Sequence, residues 1–505
     1  MADNADDLLD KPEMNLAKEV KTSLKSTILV TIYTGLVAGY TVSFLPGYLR
    51  MLNPEDQDVT FVQSLFIAMR SLGAILGGFL FGYTSTRYSI KSLIVTSNIL
   101  SVVSVFLFGY ANLVPTNWRF TYVILLSFAS GASTGIIALI RTYASIVIEV
   151  AEVRVKFLTY ISAVGGLGHL ASTLIVSLGS FFKVSSSYDS HYPIFDTYTF
   201  VIYTVAILGL FVAFIAYYSI LDLNEVKELQ SLQKSPSENK EGRKKSLRRA
   251  LSRPEIKKTF SNKVTYISWI GALIMCFIWM LDILGGQASN LSNVYSAEFN
   301  YTNKVATKFA NRHIMRAGGM GLLGYASAIY CVQFVEAHYL LLGVFFGNLL
   351  NYVFLLPLFG SRHLHEQLET LDYGCVYSWC NSEKGIQRWQ ITIWGLLYTF
   401  MSSFIMVSVT AAHGVVVSVQ GKHAIHQTLF TTFGFLGTLL NPLFVLNIFS
   451  NYGFQWLTSI EMMLLVFAII VLIVYSVLYS FIEDDVSAQT AKDKPKEDVI
   501  QEQGL

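Results

Sequence analysis

Charged residues are scarce in this chain. Of 505 residues, only 14% are Asp, Glu, Lys or Arg, while 53% are hydrophobic. A soluble protein keeps about a quarter of its residues charged to cover its surface. The few charges cluster at both ends and in one central stretch, and the apolar runs between them are about twenty residues or longer, enough to cross a ~30 Å hydrocarbon core as helix. This composition excludes a soluble protein and predicts a membrane protein.

Signals for enzymatic chemistry are missing as well. The four cysteines show no zinc-ligand spacing, and the sequence holds neither a phosphate-binding glycine loop nor a nucleophile elbow. The central basic stretch lacks the interleaved aromatic residues of a nucleic-acid surface. We therefore expect no enzyme activity, no metal, no cofactor and no nucleic-acid partner.

A cleavable signal peptide is also not evident. Residues 1–25 are polar, and the first apolar run is long enough to span the bilayer. We therefore expect the first span to act as its own insertion signal, with the N-terminus in the cytosol.

Hydropathy predicts twelve transmembrane helices, six on each side of the central polar stretch. The first six are predicted at 27–49, 59–83, 91–111, 119–148, 157–182 and 198–222. The second six are predicted at 264–286, 314–335, 338–359, 389–411, 427–450 and 456–482. Such a 6+6 arrangement predicts an all-α polytopic membrane protein with two pseudo-symmetric six-helix halves, which resembles the outline of the major facilitator fold.

The same pattern divides the chain into five regions. They are a cytosolic tail 1–26, a six-helix half 27–222, a basic cytosolic linker 223–263, a second six-helix half 264–482 and a cytosolic tail 483–505. In this arrangement the solute path is expected between the halves, lined by spans 1, 2, 4, 5, 7, 8, 10 and 11.

Several features agree on the orientation. Most Lys and Arg residues fall on the side that holds both termini and the linker, which favours a cytosolic location for that side. The opposite side holds two glycosylation sequons, at Asn290 and Asn300. It also holds Cys375 and Cys380, which an oxidising compartment would allow to form a disulfide.

Three arginines, Arg70, Arg141 and Arg316, lie inside predicted spans, where charge is costly and marks a functional candidate. Arg70 falls near the middle of the second span and Arg141 near the cytosolic end of the fourth. Either could face a central cavity and attract an anionic solute. The structural alternative is that each pairs with a carbonyl, a dipole or an acid, and Arg141 could reach toward Glu149 or Glu152.

Candidate proton-binding groups are fewer. His169 in the fifth span could accept a proton, although a lone histidine in a helix is more often a packing residue. Asp282 near the outer end of the seventh span and Glu461 near the start of the twelfth are the plausible membrane carboxylates.

The loop between spans 2 and 3 carries a more specific pattern, Gly82-Tyr-Thr-Ser-Thr86-Arg87-Tyr-Ser89-Ile-Lys91. It resembles the signature loop of the major facilitator superfamily, in which an Asp latches one conformation against a helix N-terminus. Gly82, Arg87 and Lys91 fit that pattern, whereas Thr86 replaces the Asp and Ser89 the second Gly. The resemblance implies a latch that is weaker by about 0.3–1 kcal/mol, because the charge–dipole attraction is lost. The alternative is that Arg87 and Lys91 only set the topology.

Three further stretches resemble the major facilitator superfamily domain-containing protein 8 family, a family of lysosomal membrane proteins. They are Arg141-Thr-Tyr143 with Glu152-Val-Arg154, the loop Cys375-Val-Tyr-Ser-Trp379-Cys380, and Pro46 with Tyr48. The resemblance implies a lysosomal or endosomal protein with alternating access, and chloride permeation as one of its activities.

The sequence departs from that family in two places. Ser172-Thr173 stands where the family has Gly-Pro late in the fifth span, and Asn441-Pro442 stands where it has Gly-Pro in the eleventh. The Gly-Pro motif of the fifth span is associated with exchangers, so its absence argues against antiport.

We interpret the chain as a transporter of a small solute, anionic or chloride, across an endosomal or lysosomal membrane, and expect a monomer in the bilayer. The candidate path residues are Arg70, Arg141, Tyr143, His169 and Asp282. The candidate gating-loop residues are Gly82, Thr86, Arg87, Lys91, Glu152 and Arg154.

Two other functions stay open at this point. The first is a proton-coupled symporter of a neutral or cationic metabolite, with His169 or Asp282 as the proton site. The second is a non-transporting scaffold or receptor. The plasma membrane is the alternative location.

Overall fold

A computed structural model describes most of the transmembrane region. The described residues are 18–52, 59–85, 87–148, 151–179, 182, 195–233, 262–286, 291–299, 303–356, 362–363, 384–420 and 423–492. The predictions that concern Thr86, the sequons at Asn290 and Asn300, and the Cys375–Cys380 disulfide lie outside these residues. The two cysteines that are described, Cys276 and Cys331, are both free thiols.

The first half is built from long helices joined by short connections. Its helices are α1 (Lys18–Leu52), α2 (Val59–Thr84), α3 (Ile90–Phe108), α4 (Thr116–Thr134), α5 (Ile136–Val147), α6 (Ala151–Gly179) and α7 (Thr197–Ser219), with a 3-10 turn at Ala111–Leu113. A short helix, α8 (Leu223–Gln233), follows α7.

The second half repeats this plan with two additions at the loops. Its helices are α9 (Asn262–Leu284), α10 (Leu291–Phe299), α11 (Asn303–Cys331), α12 (Ala337–Asn351), α13 (Arg388–Gln420), α14 (His423–Tyr452) and α15 (Phe454–Lys492). A 3-10 turn (Tyr352–Leu355) follows α12, and β1 (Arg362–His363) pairs antiparallel with β2 (Lys384–Gly385). We call the end of the bundle where α1 begins the inner end, and the opposite end the outer end.

Each predicted span coincides with one helix, or with the α4–α5 pair. Over the described residues, nine helical segments are long and apolar enough to cross a membrane, and α9 adds a shorter apolar segment, Ser268–Leu284. Some boundaries differ from the prediction: α1 begins at Lys18 rather than near 27, and α11 begins at Asn303 rather than near 314. Hydropathy misses these ends because polar turns can extend a helix beyond the hydrocarbon.

The fourth span differs in kind, because it is two helices that meet at Gly135. A Cβ atom at Gly135 would lie 2.3 Å from the backbone nitrogen of Gly78 in α2. The backbone of the fourth span therefore touches that of α2 at this point, which only glycine permits.

Packing within each half creates two separate cores. In the first half α1 lies along α6, α2 along α4 and α3 along α7; in the second, α11 lies along α13, α9 along α14, and α12 against α13 and α15. One buried apolar cluster is drawn from residues 20–226, and the other from residues 272–475 together with Ala163.

The α1–α6 contact depends on glycine in α6. A Cβ atom at Gly168 would lie 2.1 Å from the carbonyl oxygen of Ile32 in α1. In a bilayer, where apolar burial gives little net attraction between helices, such backbone proximity maximises dispersion contacts.

We therefore expect Gly168→Ala to destabilise the first half by about 1–3 kcal/mol, because α1 and α6 must separate to admit the methyl group. Gly319→Ala is the matched control, since an added Cβ at Gly319 meets no described atom within 4 Å. The measurement is the thermal unfolding midpoint of the purified protein in detergent. Equal midpoints for the two variants would contradict the close approach.

Candidate functional site

The main contacts between the two halves are five helix pairs: α1 with α11, α2 with α14, α5 with α14, α6 with α11, and α6 with α13. Toward the inner end, polar side chains join them directly. The Ser162 and Thr410 hydroxyl oxygens lie 3.1 Å apart across the interface. The Arg141 guanidinium donates to Ser162 at 2.8 Å and lies 5.1 Å from the ring centroid of Phe430 in α14. We call these four residues the inner seal.

Apolar contacts continue the closure toward the inner end. Behind the seal, within the second half, the His413 ring stacks on Phe430 with centroids 4.6 Å apart. A Cβ atom at Gly414 would lie 3.7 Å from the Cβ of Val155 in α6. All four residues of the inner seal are buried, so the two halves are closed here.

On the outer side of the seal the halves separate around a central cavity of about 320 Å³. It is lined by Gly39 of α1 and by residues of α6, α11 and α13, which include His169, Thr173, His313, Leu322, Trp394, Tyr398, Thr399 and Ser403. Among the described lining residues there is no Asp or Glu. The polar groups offered to a solute are therefore hydroxyls, an indole and two imidazoles.

A second cavity of about 440 Å³ lies at the outer ends of α11 and α13. Its lining includes Arg312, Arg316 and Arg388, and the first two are one helical turn apart. The Arg388 guanidinium lies 4.9 Å from the centroid of the Phe309 ring. We call this cavity the arginine groove.

His313 lines both cavities and stands between them. Its Nδ1 lies 3.1 Å from the Tyr295 hydroxyl, and either atom donates according to the tautomer. Gly395 leaves room for the ring, because a Cβ atom there would lie 1.9 Å from the imidazole Nε2. The hydrogen bond to Tyr295 and the space left beside Gly395 thus fix the position of the His313 ring at the boundary.

The predicted arginines have structural partners. Arg70 donates to the carbonyl oxygens of Val37 at 2.5 Å and Ala38 at 3.2 Å in α1, and it is not among the residues that line the central cavity. Arg141 belongs to the inner seal, with Ser162 rather than an acid as its hydrogen-bond partner; Glu149 lies outside the described residues.

The other predicted path residues separate into three places. His169 lines the central cavity and is exposed within it. Tyr143 lies at the inner end, where its hydroxyl is 2.6 Å from the Ser23 hydroxyl and donates to the Leu221 carbonyl. Asp282 lines a small separate cavity inside the second half.

The described gating-loop residues make local contacts. Gly82 approaches α14, where an added Cβ would lie 3.9 Å from the Thr428 hydroxyl. Arg87 donates to the Tyr83 hydroxyl at 3.2 Å, and the Lys91 ammonium lies 5.5 Å from the centroid of the Tyr217 ring. Arg154 is half-buried, and the side chain of Glu152 lies outside the described part of the chain.

The sequence reasoning missed His313 and the arginine groove. It placed the eighth span at 314–335, which assigned Arg312 and His313 to a loop. Because α11 begins at Asn303, Arg312 and His313 are helical and lie in the same helix as Arg316. The signal that could have found them is the spacing itself: two arginines four residues apart with a histidine between them lie on one side of a helix.

Comparison with known proteins identifies the fold. The sequence matches the profile of the Major Facilitator Superfamily over residues 27–364. The chain belongs to this superfamily. A search of curated protein sequences found no match.

Solved structures with the same fold include transporters of different solutes. The human organic anion transporter MFSD10 (TETRAN) is 12% identical, with 90% of this chain and 100% of that chain covered and a TM-score of 0.58. The xylose transporter XylE from E. coli, in a partially occluded inward open conformation, is 13% identical, with 90% and 97% covered and a TM-score of 0.60.

The predicted fold class is therefore confirmed: the chain is an all-helical membrane protein with the two-half major facilitator fold. Members of the superfamily are transporters rather than enzymes, as the absence of enzyme motifs predicted. Membership of this family implies that the protein lies in a lipid bilayer and transports a small-molecule substrate.

Two neighbouring residues of α11 offer a test of the central cavity. Leu322 lines it, whereas Leu323 faces outward with 59% of its surface exposed. We expect Leu322→Trp to slow the reaction of a thiol reagent with a cysteine placed at Thr399 by about an order of magnitude, because the indole occupies the cavity. Leu323→Trp should leave that rate unchanged. The rate is followed by mass spectrometry, and equal slowing by both variants would contradict the assigned cavity.

Proposed function

We propose that the protein carries a small anionic solute, with chloride as the simplest case, between its two halves by alternating access. The single observation that carries this proposal is the central cavity, which contains no acidic lining residue in the described chain and adjoins a groove with three arginines. In a region of low dielectric, the charge of the lining selects the sign of the solute.

The charges near the path support an anion over a cation. Arg312, Arg316 and Arg388 place positive charge at the outer approach to the path. Deeper in the bundle, Arg70 binds the carbonyl oxygens of Val37 and Ala38, which directly precede Gly39 in the cavity wall. Positive charge on these residues disfavours a cation in the path and favours an anion.

The inner seal supports alternating access over a continuous pore. Ser162 and Arg141 belong to the first half, whereas Thr410 and Phe430 belong to the second, so the seal opens only if the halves move apart. The cavity lies entirely on the outer side of this contact. The state described here is therefore closed at the inner end.

The fold alone does not select the substrate. One structure with this fold is an organic anion transporter and another is a xylose transporter. The choice of an anion rests on the lining residues of this chain. A receptor or scaffold would need neither the cavity nor a seal made of buried polar groups.

Location and processing belong to the same proposal. The resemblance to the major facilitator superfamily domain-containing protein 8 family supports an endosomal or lysosomal membrane, and the distribution of Lys and Arg supports cytosolic termini. In that orientation Asn290 and Asn300 would be glycosylated, and Cys375 would pair with Cys380, on the luminal side. Free thiols at both cysteines in the glycosylated protein would falsify the pairing.

The proposal is tested by chloride flux into proteoliposomes that contain the purified protein. We expect Arg316→Gln to raise the half-saturating anion concentration about fivefold, which corresponds to a loss of about 1 kcal/mol. Arg87→Gln, at the exposed inner end, is the matched control and should leave this concentration unchanged. Flux of cations without flux of anions would contradict an anion path.

The closure at the inner end is tested separately with a designed disulfide. The 3.7 Å between the Val155 Cβ and a Cβ built at Gly414 falls within the range of Cβ–Cβ distances found in disulfides. We expect oxidation of the Val155→Cys/Gly414→Cys double variant to abolish flux, and reduction to restore it, because the bond prevents the halves from separating. Each single-cysteine variant is the control. Undiminished flux through the cross-linked protein would mean that solute passes without opening of the seal.

A further inference from the structure

The second half contains a small cavity that does not belong to the central one. It is enclosed by α9, α12, α13 and α15, and its volume of about 10 Å³ leaves room for about one water molecule. Its polar lining residues are Asp282, Asn348, Tyr352, Tyr398 and Glu461. We call it the acid chamber.

The acid chamber brings together two carboxyl groups that are far apart in the sequence. Asp282 of α9 is 7% exposed and Glu461 of α15 is 1% exposed. Among the described lining residues none is basic. Burying an ionised carboxylate without a positive partner is costly, and two such charges in one chamber repel each other.

The groups that face the acids from each neighbouring helix are neutral. From the 3-10 turn after α12, the Tyr352 hydroxyl hydrogen-bonds to Glu461. From α13, the Ser402 hydroxyl donates to Asp282 Oδ2 at 3.5 Å, and Tyr398 lines the chamber beside it. From α14 the side chain nearest this end of α9 is Asn441, an uncharged amide.

Asn441 does not donate to the acids. Its amide nitrogen donates instead to the carbonyl oxygens of Ile283, Leu284 and Gly286 at the end of α9. Asp282 therefore also lies beside the negative end of the α9 dipole, which disfavours a carboxylate.

An independent observation indicates that the chamber needs a further hydrogen-bond donor. Asn348 lines the chamber and is 1% exposed, and its Oδ1 has no hydrogen-bond partner among the described residues. A buried amide oxygen without a donor loses roughly 1–3 kcal/mol. A protonated carboxyl, or a water oriented by one, supplies the donor that this oxygen lacks.

We propose that the acid chamber is a proton-binding site in which Asp282 and Glu461 share at least one proton. The step is a simple protonation: a carboxylate takes one proton from water in the central cavity and becomes a neutral acid, and on release the proton returns to water. Tyr398 lines both the chamber and the central cavity, so its hydroxyl can pass the proton between them.

The chamber is placed to influence the central cavity. Tyr398 lines both spaces, and its ring stacks on Trp394, another cavity residue, with centroids 5.2 Å apart. A change of charge behind Tyr398 therefore acts on the wall of the solute path. If the protein carries an anion, as proposed above, a proton bound here would travel with the anion and lower the net charge moved. This coupling rests on the proposed function, whereas proton binding itself does not.

The first test needs no transport. We expect the thermal midpoint of the native protein in detergent to fall by about 2 °C or more as the pH rises from about 5 to about 8, because the folded state holds the shared proton more tightly than the unfolded state and loses that stabilisation as the proton leaves. Asp282→Asn and Glu461→Gln should each flatten this dependence. The control is Asp196→Asn, a buried acid at the start of α7 whose carboxylate already accepts two backbone N–H groups.

The outcomes separate the chamber from the transport proposal. A pH dependence equally steep in Asp282→Asn, Glu461→Gln and the native protein would overturn the proton site. If sodium at constant pH raises the thermal midpoint and acid does not, the chamber binds sodium rather than a proton. This result would also overturn the proton site.

The second test uses the chloride-flux assay. An inward proton gradient should accelerate flux in the native protein by about threefold or more, and have no effect in Asp282→Asn. If chloride flux persists but the proton gradient does not change it in any of these proteins, the coupling is contradicted and the proposed anion path is not. Absence of any flux would contradict the proposed function, while the thermal measurement would still decide the chamber.

Discussion

Hydrocarbon offers no hydrogen bonds, so every polar group that a helix carries into the bilayer must find its partner within the protein. The buried arginines of the first half show how this constraint is met. Arg70 binds carbonyl oxygens of α1, and Arg119 binds those of Leu52, Asn112 and Val114. The partners are backbone carbonyls, which are already present in the helices, whereas an acidic partner would have to be buried as well.

The second half meets the same constraint differently. Its membrane carboxyl groups, Asp282 and Glu461, face hydroxyls, aromatic rings and an amide. The two halves share one architecture, yet the first buries arginines against backbone carbonyls, whereas the second buries carboxyl groups among neutral side chains. In the mechanism proposed above, a solute between the halves and a proton in the acid chamber would occupy separate places in the same protein.

Much of the fold followed from hydropathy, because twelve long apolar runs leave few alternatives in a bilayer. Some helix ends were missed because polar residues lie within the helices. Arg312 and Arg316 lowered the hydropathy of the first turns of α11, so the helix was predicted to begin too late and the arginine groove was missed. The break at Gly135 could not be predicted, since it depends on a contact with α2 that no local pattern encodes.

The site was less predictable than the fold, because its contacts are distant in the sequence. His169 was a candidate from its own segment and does line the cavity. The partner of Arg141, however, is a serine in the next helix, and Asp282 meets Glu461 only because α9 packs beside α15. Pairing of this kind is decided by how helices pack, and a single sequence does not specify it.

The inner seal has a consequence for how fast the halves can separate. The hydrogen bond between Arg141 and Ser162 lies wholly within the first half, so parting the halves removes only the Thr410 hydroxyl and the face of Phe430 from these groups. The charged side chain keeps its partner throughout the motion. Opening then breaks one hydroxyl contact and one cation–aromatic contact, both buried away from solvent ions, so the opening rate should depend strongly on temperature and hardly at all on ionic strength.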